Sequence, residues 1–318
     1  MKILIPATMM DEYAPHVHDR IPDTLLIPYD DGGDPVPDLD EAEAILRSWA
    51  FHRWNQLVQD GPRIRWMHTL SAGVDGLLTP AVRAKPGLVL TDSGPAFTNA
   101  IPEFVLGWML QAARRYPQFL ENQRAHRWQG VPQDELYGRT AGIIGLGPIG
   151  LGVAKRARAF GMRTLGLRRH ARSAEHVDEV LTGAAGLDRL VRESDYIVVA
   201  AALTDETRHI IGAAELEKMK PSAWIVNIAR GAHIDQLALI DALESQFIGG
   251  ACLDVFDPEP LPADSPLWDM PNVYIAPHNS TGDSPTVRLR QREIFIANLE
   301  HFSKGEPLEN VVDFERGY

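Results

Sequence analysis

The sequence predicts an α/β protein of two domains, the larger built on a doubly wound parallel sheet, and three observations carry that prediction. Between residues 140 and 276, short apolar runs of strand length alternate with segments of helix length. A glycine-rich turn, Gly145-Leu146-Gly147-Pro148-Ile149-Gly150, joins the first of those runs to the first of those helices. The chain has 318 residues, enough for two ordinary domains that each bury a sizeable core.

Taken in order, apolar runs at 3–6, 24–27, 44–49, 64–69 and 88–90, separated by polar turns, give the first third an α/β rhythm. Residues 30–43 are rich in acid, glycine and proline and read as a solvated loop that leads into a helix. Segment 102–116, PEFVLGWMLQAARRY, has Pro102 at a first helical position and apolar residues at helical spacing, so it reads as a long helix able to join two domains. From residue 140 the pattern becomes regular: a strand through AGIIGLG, a helix at 149–160, a strand at 163–167, a helical stretch at 187–193 and a strand at 196–201. It continues with helices at 213–218 and 236–244 and strands at 223–229, 250–255 and 273–276. Strands separated by helices return to the same sheet in parallel. Residues from 285 onward are helical again and are expected to pack against the first domain.

Composition narrows the function classes. Hydrophobic residues make up 45% and charged residues 23%, as in ordinary globular proteins, which excludes disordered, collagenous and disulfide-scaffold readings. A net charge of -12 repels nucleic acid and acidic membrane surfaces. Cys252 is the single cysteine, so an intrachain disulfide and a cysteine zinc site are both impossible, and a reducing cytoplasm fits. Residues 1–7, MKILIPA, are too short an apolar run for a signal peptide and read as a buried strand, and no stretch approaches the length that crosses a bilayer. No metal site is expected.

The Gly145–Gly150 turn matches G-x-G-x-x-G in the context that gives the motif meaning, directly after an apolar strand and opening a helix. Gly145, Gly147 and Gly150 permit the tight turn and close approach of the backbone to a pyrophosphate, while free N–H groups and the helix dipole attract the anion. Pro148 lacks an N–H, so Ile149 is the better donor. An NAD-selective domain carries an acid at the end of the second strand to bind the ribose hydroxyls. Here the strand runs into Arg168-Arg169-His170-Ala171-Arg172. Arginines there can pair with a 2'-phosphate and offer nothing to a free diol, so NADP(H) is the expected cofactor and NAD(H) a possible one. Arg168 takes the position of the acid. Which of Arg168, Arg169 and Arg172 reaches the phosphate is not readable.

Three further segments follow predicted strands: Asn227-Ile228-Ala229-Arg230-Gly231, Asp254-Val255-Phe256-Asp257-Pro258-Glu259-Pro260 and Ala276-Pro277-His278-Asn279. In open α/β sheets the ligand crevice lies beyond the carboxyl ends of the strands, so these groups can converge despite their separation in sequence. Taken singly, Arg230 reads as an ion-pair partner, Glu259 as a solvated acid and His278 as a loop histidine. Taken together with the glycine motif, the segments resemble the D-isomer-specific 2-hydroxyacid dehydrogenase family, which includes glyoxylate/hydroxypyruvate reductases. The resemblance extends to Ser71-Ala72-Gly73-Val74-Asp75, to Asn99 with Glu103, and to Leu203-Thr204-Asp205-Glu206-Thr207-Arg208. Departures are the missing ribose acid at Arg168 and Asn279-Ser280-Thr281 after His278, where small apolar residues are more usual.

The resemblance implies a Rossmann-type dinucleotide-binding domain over residues 99–282, with a smaller flavodoxin-like substrate domain from residues 1–98 and 283–318. It implies hydride transfer between NADPH and a small 2-oxoacid such as glyoxylate or hydroxypyruvate, giving the D-2-hydroxyacid. Residue chemistry agrees: Arg230 can bind the substrate carboxylate and polarise the ketone, His278 can donate the proton, and Glu259 can orient the imidazole and stabilise its charged form. By position, the resemblance also implies that backbone N–H groups of Ala72, Gly73 and Val74 hold the carboxylate, and that Ala229 and Asp254 contact the cofactor, Asp254 through the nicotinamide carboxamide. It implies a homodimer joined through the larger domain, with the apolar stretch around Trp108 as a candidate contributor. Trp49, Phe51, His52 and Trp128 could wall a pocket, but aromatic residues are expected in the core. The rival reading is a nucleotide-sensing binding protein or corepressor, since fold alone does not establish catalysis. Formate dehydrogenases share the architecture, but they carry glutamine where Glu259 stands.

Overall fold

Strands β1 (Lys2–Pro6), β2 (Leu25–Tyr29), β3 (Ala44–Arg47), β4 (Trp66–Thr69) and β5 (Val89–Asp92) form one sheet in the order β2-β1-β3-β4-β5, with every neighbouring pair parallel. In this computed structural model, which describes residues 1–49 and 51–318, the sheet belongs to the first of two compact units, Met1–Phe97 with Asp283–Tyr318. The central strands read as continuous apolar runs because helices cover both faces, as all-parallel sheets require. Helices α1 (Met10–Arg20), α2 (Trp54–Asp60) and α3 (Pro80–Ala84) connect the strands. One face packs Leu4, Ile45, Met67 and Leu90 against Trp54, Leu57 and Val58. The other packs Ile3, Ile5, Leu46 and Trp66 against Tyr13, Val17 and residues from the C-terminal helix.

The second unit, Thr98–Gly282, opens with helices α4 (Ala100–Arg114) and α5 (Tyr116–Arg124). Its sheet comprises β6 (Thr140–Ile144), β7 (Arg163–Leu167), β8 (Glu179–Leu181), β9 (Tyr196–Val199), β10 (Trp224–Asn227), β11 (Gly250–Leu253) and β12 (Val273–Ile275). Their order is β12-β11-β10-β9-β6-β7-β8, again wholly parallel. Chain direction across the sheet reverses between β6 and β9, so the carboxyl ends of these two strands flank the crevice where doubly wound folds bind ligands. Helices α6 (Pro148–Ala159), α7 (Gly183–Glu193), α8 (Ala213–Leu216) and α9 (Gln236–Glu244) cover the faces. Helix α10 (Pro285–Lys304) then returns the chain to the first unit, where Phe295, Ile296 and Leu299 enter its core.

Several local expectations need correction. The acidic stretch 30–43 passes through a 3₁₀ turn (Leu39–Glu41) into β3, not into a helix, because Ala44–Arg47 is buried along its whole length and belongs in the sheet. The long helix expected over 102–116 is α4 with shifted ends: it begins at Ala100, placing Pro102 inside the first turn where its missing N–H costs nothing, and it stops at Arg114 because Arg115 at φ 54 breaks the helix before α5. Strand β8 is three residues long, too short to show a period. The expectation that aromatic candidates lie in the core holds for Phe51 but fails for Trp49 and Trp128, which are 54% and 106% exposed. Trp108 has the opposite fate. It is buried against Phe104, at 4.3 Å between ring centroids, and has little surface left to offer a partner.

Candidate active site

The glycine turn sits at the carboxyl end of β6, and its three glycines do different work. Gly145 has φ +97, and a Cβ on it would stand 2.6 Å from the carbonyl oxygen of Ala200 at the end of β9. A Cβ on Gly150 would stand 2.0 Å from the carbonyl oxygen of Gly145, so this glycine lets α6 close onto the turn. Gly147, at the helix N-cap, would meet nothing within 4 Å. Two positions are therefore closed by protein and the middle one faces open space, beside exposed Pro148 and half-buried Ile149 at the start of a 12-residue helix. That cradle and its helix N-terminus fit a dinucleotide pyrophosphate.

Beyond β7, Arg168 is half-buried and its N–H donates to the carbonyl of Leu181 at 3.1 Å. Arg169 donates to Glu206 at 2.6 Å, a surface ion pair linking this turn to the 203–208 segment, while Arg172 is exposed. Asn99 and Glu103 both accept from Arg156 at 3.0 Å, fastening α4 to α6.

Arg230 follows β10 in a loop gripped by the side chain of Asn227, which is buried at the strand end. Asn227 Nδ2 donates to the Arg230 carbonyl at 2.8 Å, and Asn227 Oδ1 accepts from the Ala229 N–H at 3.1 Å. The Arg230 guanidinium donates from Nη1 to the Ala229 carbonyl at 2.7 Å, which sets the direction of the side chain. His233, fully buried, places its ring nitrogens 3.1 Å from the Arg230 carbonyl and 3.3 Å from the Ala202 carbonyl. It thereby bridges the loops after β10 and β9.

Glu259 and His278 meet across the loops after β11 and β12. His278 Nδ1 lies 3.0 Å from Glu259 Oε2, while Glu259 Oε1 accepts the Phe256 N–H at 2.9 Å, so the carboxylate is oriented by backbone on one side and holds the imidazole on the other. About a third of each side chain is exposed. His278 itself adopts φ 51, an unusual conformation for a residue with a side chain. Buried Asp254 secures it: its carbonyl accepts the His278 N–H at 2.7 Å, and its carboxylate accepts the N–H groups of Asn279 and Ser280 at 2.6 and 3.0 Å. Asp254 thus anchors the histidine loop with both oxygens. The loops are also in contact at Gly231, where a Cβ would stand 1.9 Å from the Phe256 carbonyl carbon.

The structure therefore brings Arg230, Ala229, Glu259, His278 and Asp254 together on adjacent strand ends of one sheet. Ala72, Gly73 and Val74 belong to the other unit, in the turn after β4, where the Ser71 hydroxyl donates to the Gly73 carbonyl at 3.0 Å and Val74 is buried. Sequence reasoning did not single out Asn227, Gly231 or His233. Asn227 and Gly231 bracket Arg230 in the same short segment, and His233 lies one 3₁₀ turn beyond it (Gly231–His233), a spacing that carries no signal without the loop's conformation.

Comparison with known proteins agrees with this architecture. The sequence profile described as D-isomer specific 2-hydroxyacid dehydrogenase, NAD binding domain, matches residues 106–280. The chain is 39% identical over 284 residues to a glyoxylate/hydroxypyruvate reductase B of Pectobacterium carotovorum, covering 87% of each. It is similar to the structure of a D-isomer specific 2-hydroxyacid dehydrogenase from Xanthobacter autotrophicus in complex with NADPH and MES, with 30% identity, a TM-score of 0.87 and coverage of 100% and 99%. It is also similar to an NADPH-dependent glyoxylate/hydroxypyruvate reductase from Sinorhizobium meliloti in complex with NADP and sulfate, with 29% identity, a TM-score of 0.84 and the same coverage. The sheet order, the loops at its strand ends and these likenesses lead to one conclusion: the chain belongs to the D-isomer specific 2-hydroxyacid dehydrogenase family, NAD(P)-dependent oxidoreductases.

Proposed function

We propose that this protein reduces small 2-oxoacids, glyoxylate and hydroxypyruvate among them, to D-2-hydroxyacids with NADPH. The observation that carries the reading is the His278–Glu259 pair, held at 3.0 Å on the strand end next to that of Arg230. When bound, the reduced nicotinamide supplies a hydride to C2 of the keto acid. The protein supplies the rest. The Arg230 guanidinium pairs with the substrate carboxylate and places a second N–H against the ketone oxygen, stabilising charge as it develops. His278 donates a proton to that oxygen from Nε2, on the far side of the ring from Glu259. Glu259, itself fixed by the Phe256 N–H, keeps the ring in line through its contact with Nδ1. The backbone N–H groups of Ala72, Gly73 and Val74 are proposed as further donors to the carboxylate.

Gly145, Gly147, Pro148, Ile149 and Gly150 are proposed to cradle the pyrophosphate, with Ala229 against the nicotinamide and Asp254 at its carboxamide. The Arg168, Arg169 and Arg172 turn supports NADP(H) over NAD(H), as do the NADP-bound relatives. Since Arg169 is paired with Glu206, Arg168 is the arginine we assign first to the 2'-phosphate. We also read the protein as a cytoplasmic homodimer. Exposed Trp128 and Tyr137 in the second unit support association, and the buried single thiol of Cys252 suits a reducing compartment.

A panel of 2-oxoacids, each assayed with NADPH and NADH by absorbance of the reduced nicotinamide, tests the function. The expected result is D-product with glyoxylate or hydroxypyruvate and a kcat/KM ratio for NADPH over NADH above one. Absence of turnover with every keto acid would overturn the reading in favour of a binding protein.

A further inference from the structure

Arg47 ends β3, and its register with Ile45 puts it on the sheet face that carries Tyr29, Trp54 and Val74. It is 7% exposed. Among the described residues, one of its five N–H donors is used, in a long 3.5 Å bond from Nη1 to Thr69 Oγ1, and Nε is buried without a hydrogen-bond partner. Among the described residues no carboxylate forms an ion pair with it. The rings of Trp49 and Trp54 lie 4.9 and 5.9 Å from its Cζ, and such contacts offset only part of the cost of burying an unpaired cation. Burial also holds its pKa below the ordinary arginine value. Half-buried Arg292 has Glu12 at 3.6 Å, whereas among the described residues Arg47 has no acid in that role.

What lies beside Arg47 gives the idle donors a use. Its partner Thr69 is hydrogen-bonded at 2.8 Å to the Ser71 hydroxyl, which donates to the Gly73 carbonyl. Two hydroxyls therefore connect the guanidinium to the 72–74 turn assigned above to the substrate carboxylate. We propose that Arg47 recognises a second anionic group on the substrate, so that the preferred substrates are 2-oxoacids whose side chain ends in a carboxylate or a phosphate. The proposal rests on the reading that this turn holds the first carboxylate. A planar guanidinium with free edges pairs bidentately with either anion, whereas an uncharged side chain would leave it buried and unpaired.

The test begins with wild-type protein loaded with NADP+ and needs no variant. Calorimetry should show D-malate binding about tenfold or more tighter than D-2-hydroxybutyrate, which replaces the second carboxylate by a methyl group. In turnover, oxaloacetate should exceed its ω-amide in kcat/KM by a similar factor, mainly through KM. The O-phosphate of hydroxypyruvate, set against hydroxypyruvate, reports whether phosphate or carboxylate is the better fit. In Arg47→Met, checked for folding by circular dichroism, the acid-to-amide ratio should fall to within about twofold, and in Arg47→Lys it should be intermediate. A wild-type enzyme that does not distinguish acid from amide, or a preference that survives in Arg47→Met, would overturn the proposal. If glyoxylate is reduced and the diacid preference is absent, the assignment of Arg47 fails alone. If no keto acid is reduced but D-malate still binds preferentially through Arg47, the catalytic reading fails and the anion site stands.

Discussion

Gly231→Ala is the substitution that most directly probes how the loops around Arg230 and Glu259 support each other. A methyl group there would stand 1.9 Å from the carbonyl carbon of Phe256, 2.1 Å from its oxygen and 2.5 Å from the nitrogen of Asp257. All three are backbone atoms, so no rotamer change relieves the clash. Ordinary contact begins near 3.4 Å, so the two loops must separate by roughly 1.5 Å. Arg230 precedes the substituted residue, and Phe256 both takes the clash and orients Glu259 through its N–H. The displacement therefore falls on the relative placement of the guanidinium and the Glu259–His278 pair. Misplacement by about 1 Å costs on the order of 100-fold in rate. We expect kcat/KM for glyoxylate to fall at least about 100-fold, with a stability loss of about 1–3 kcal/mol from overpacking. Steady-state kinetics and urea unfolding on the same preparation measure both. Activity within about threefold of wild type in a folded variant would refute the claim that contact at Gly231 sets the geometry.

Further outcomes follow from the same structure. Arg168→Asp should lower the NADPH to NADH ratio of kcat/KM by about 10- to 100-fold, the worth of charge-assisted bonds to a phosphate, whereas Arg169→Ala should change it less because Arg169 pairs with Glu206. An unchanged ratio in Arg168→Asp would remove that residue from the 2'-phosphate site. Arg230→Lys should raise KM and lower kcat together, by about 100-fold in kcat/KM, since a point charge cannot span carboxylate and ketone; unchanged kinetics would exclude Arg230 from the site. Burial raises the Asp92 carboxyl from 3.8 to about 6 against the pull of the Gly94 N–H, so between those values the folded state holds a proton that the unfolded chain has released. The stability this group contributes is therefore greatest at low pH and is lost as pH rises through that window. Asp92→Asn should gain about 2 kcal/mol at about pH 8 and little at about pH 4 in urea unfolding, and an equal shift at both would contradict the assignment.

How far the sequence alone reached is clear from particular elements. The second unit was readable because β6, β9, β10 and β11 are buried apolar runs between helices, and because its glycine turn has a physical reason at each glycine. In the first unit, helix α1 carries Pro15 and three polar or charged residues at its end, His18, Asp19 and Arg20, and its apolar face is too thin to announce a helix. Strand β3 was visible, but the stretch before it looked like a helix entry because acid-rich loops precede both kinds of element. The pairing of His278 with Glu259 could be expected from residue type and position. The grip of Asp254 on Asn279 and Ser280, and the clamp of Asn227 on both sides of Arg230, could not. Those are bonds between loops, and loop conformation follows from tertiary contacts that no local pattern encodes. Arg47 was hidden for a related reason. A charged residue at the end of an apolar run reads as the point where a strand meets solvent, and only the packed structure shows it buried.

The central claim is that His278, held by Glu259, delivers the proton that completes keto-acid reduction. The measurement that tests it most directly is reduction of glyoxylate by NADPH in wild-type protein and in His278→Ala, with NADPH affinity determined in parallel by fluorescence. His278→Ala should lose about 100- to 10,000-fold in rate, with NADPH affinity changed by no more than a few-fold. Wild-type turnover by His278→Ala would contradict it.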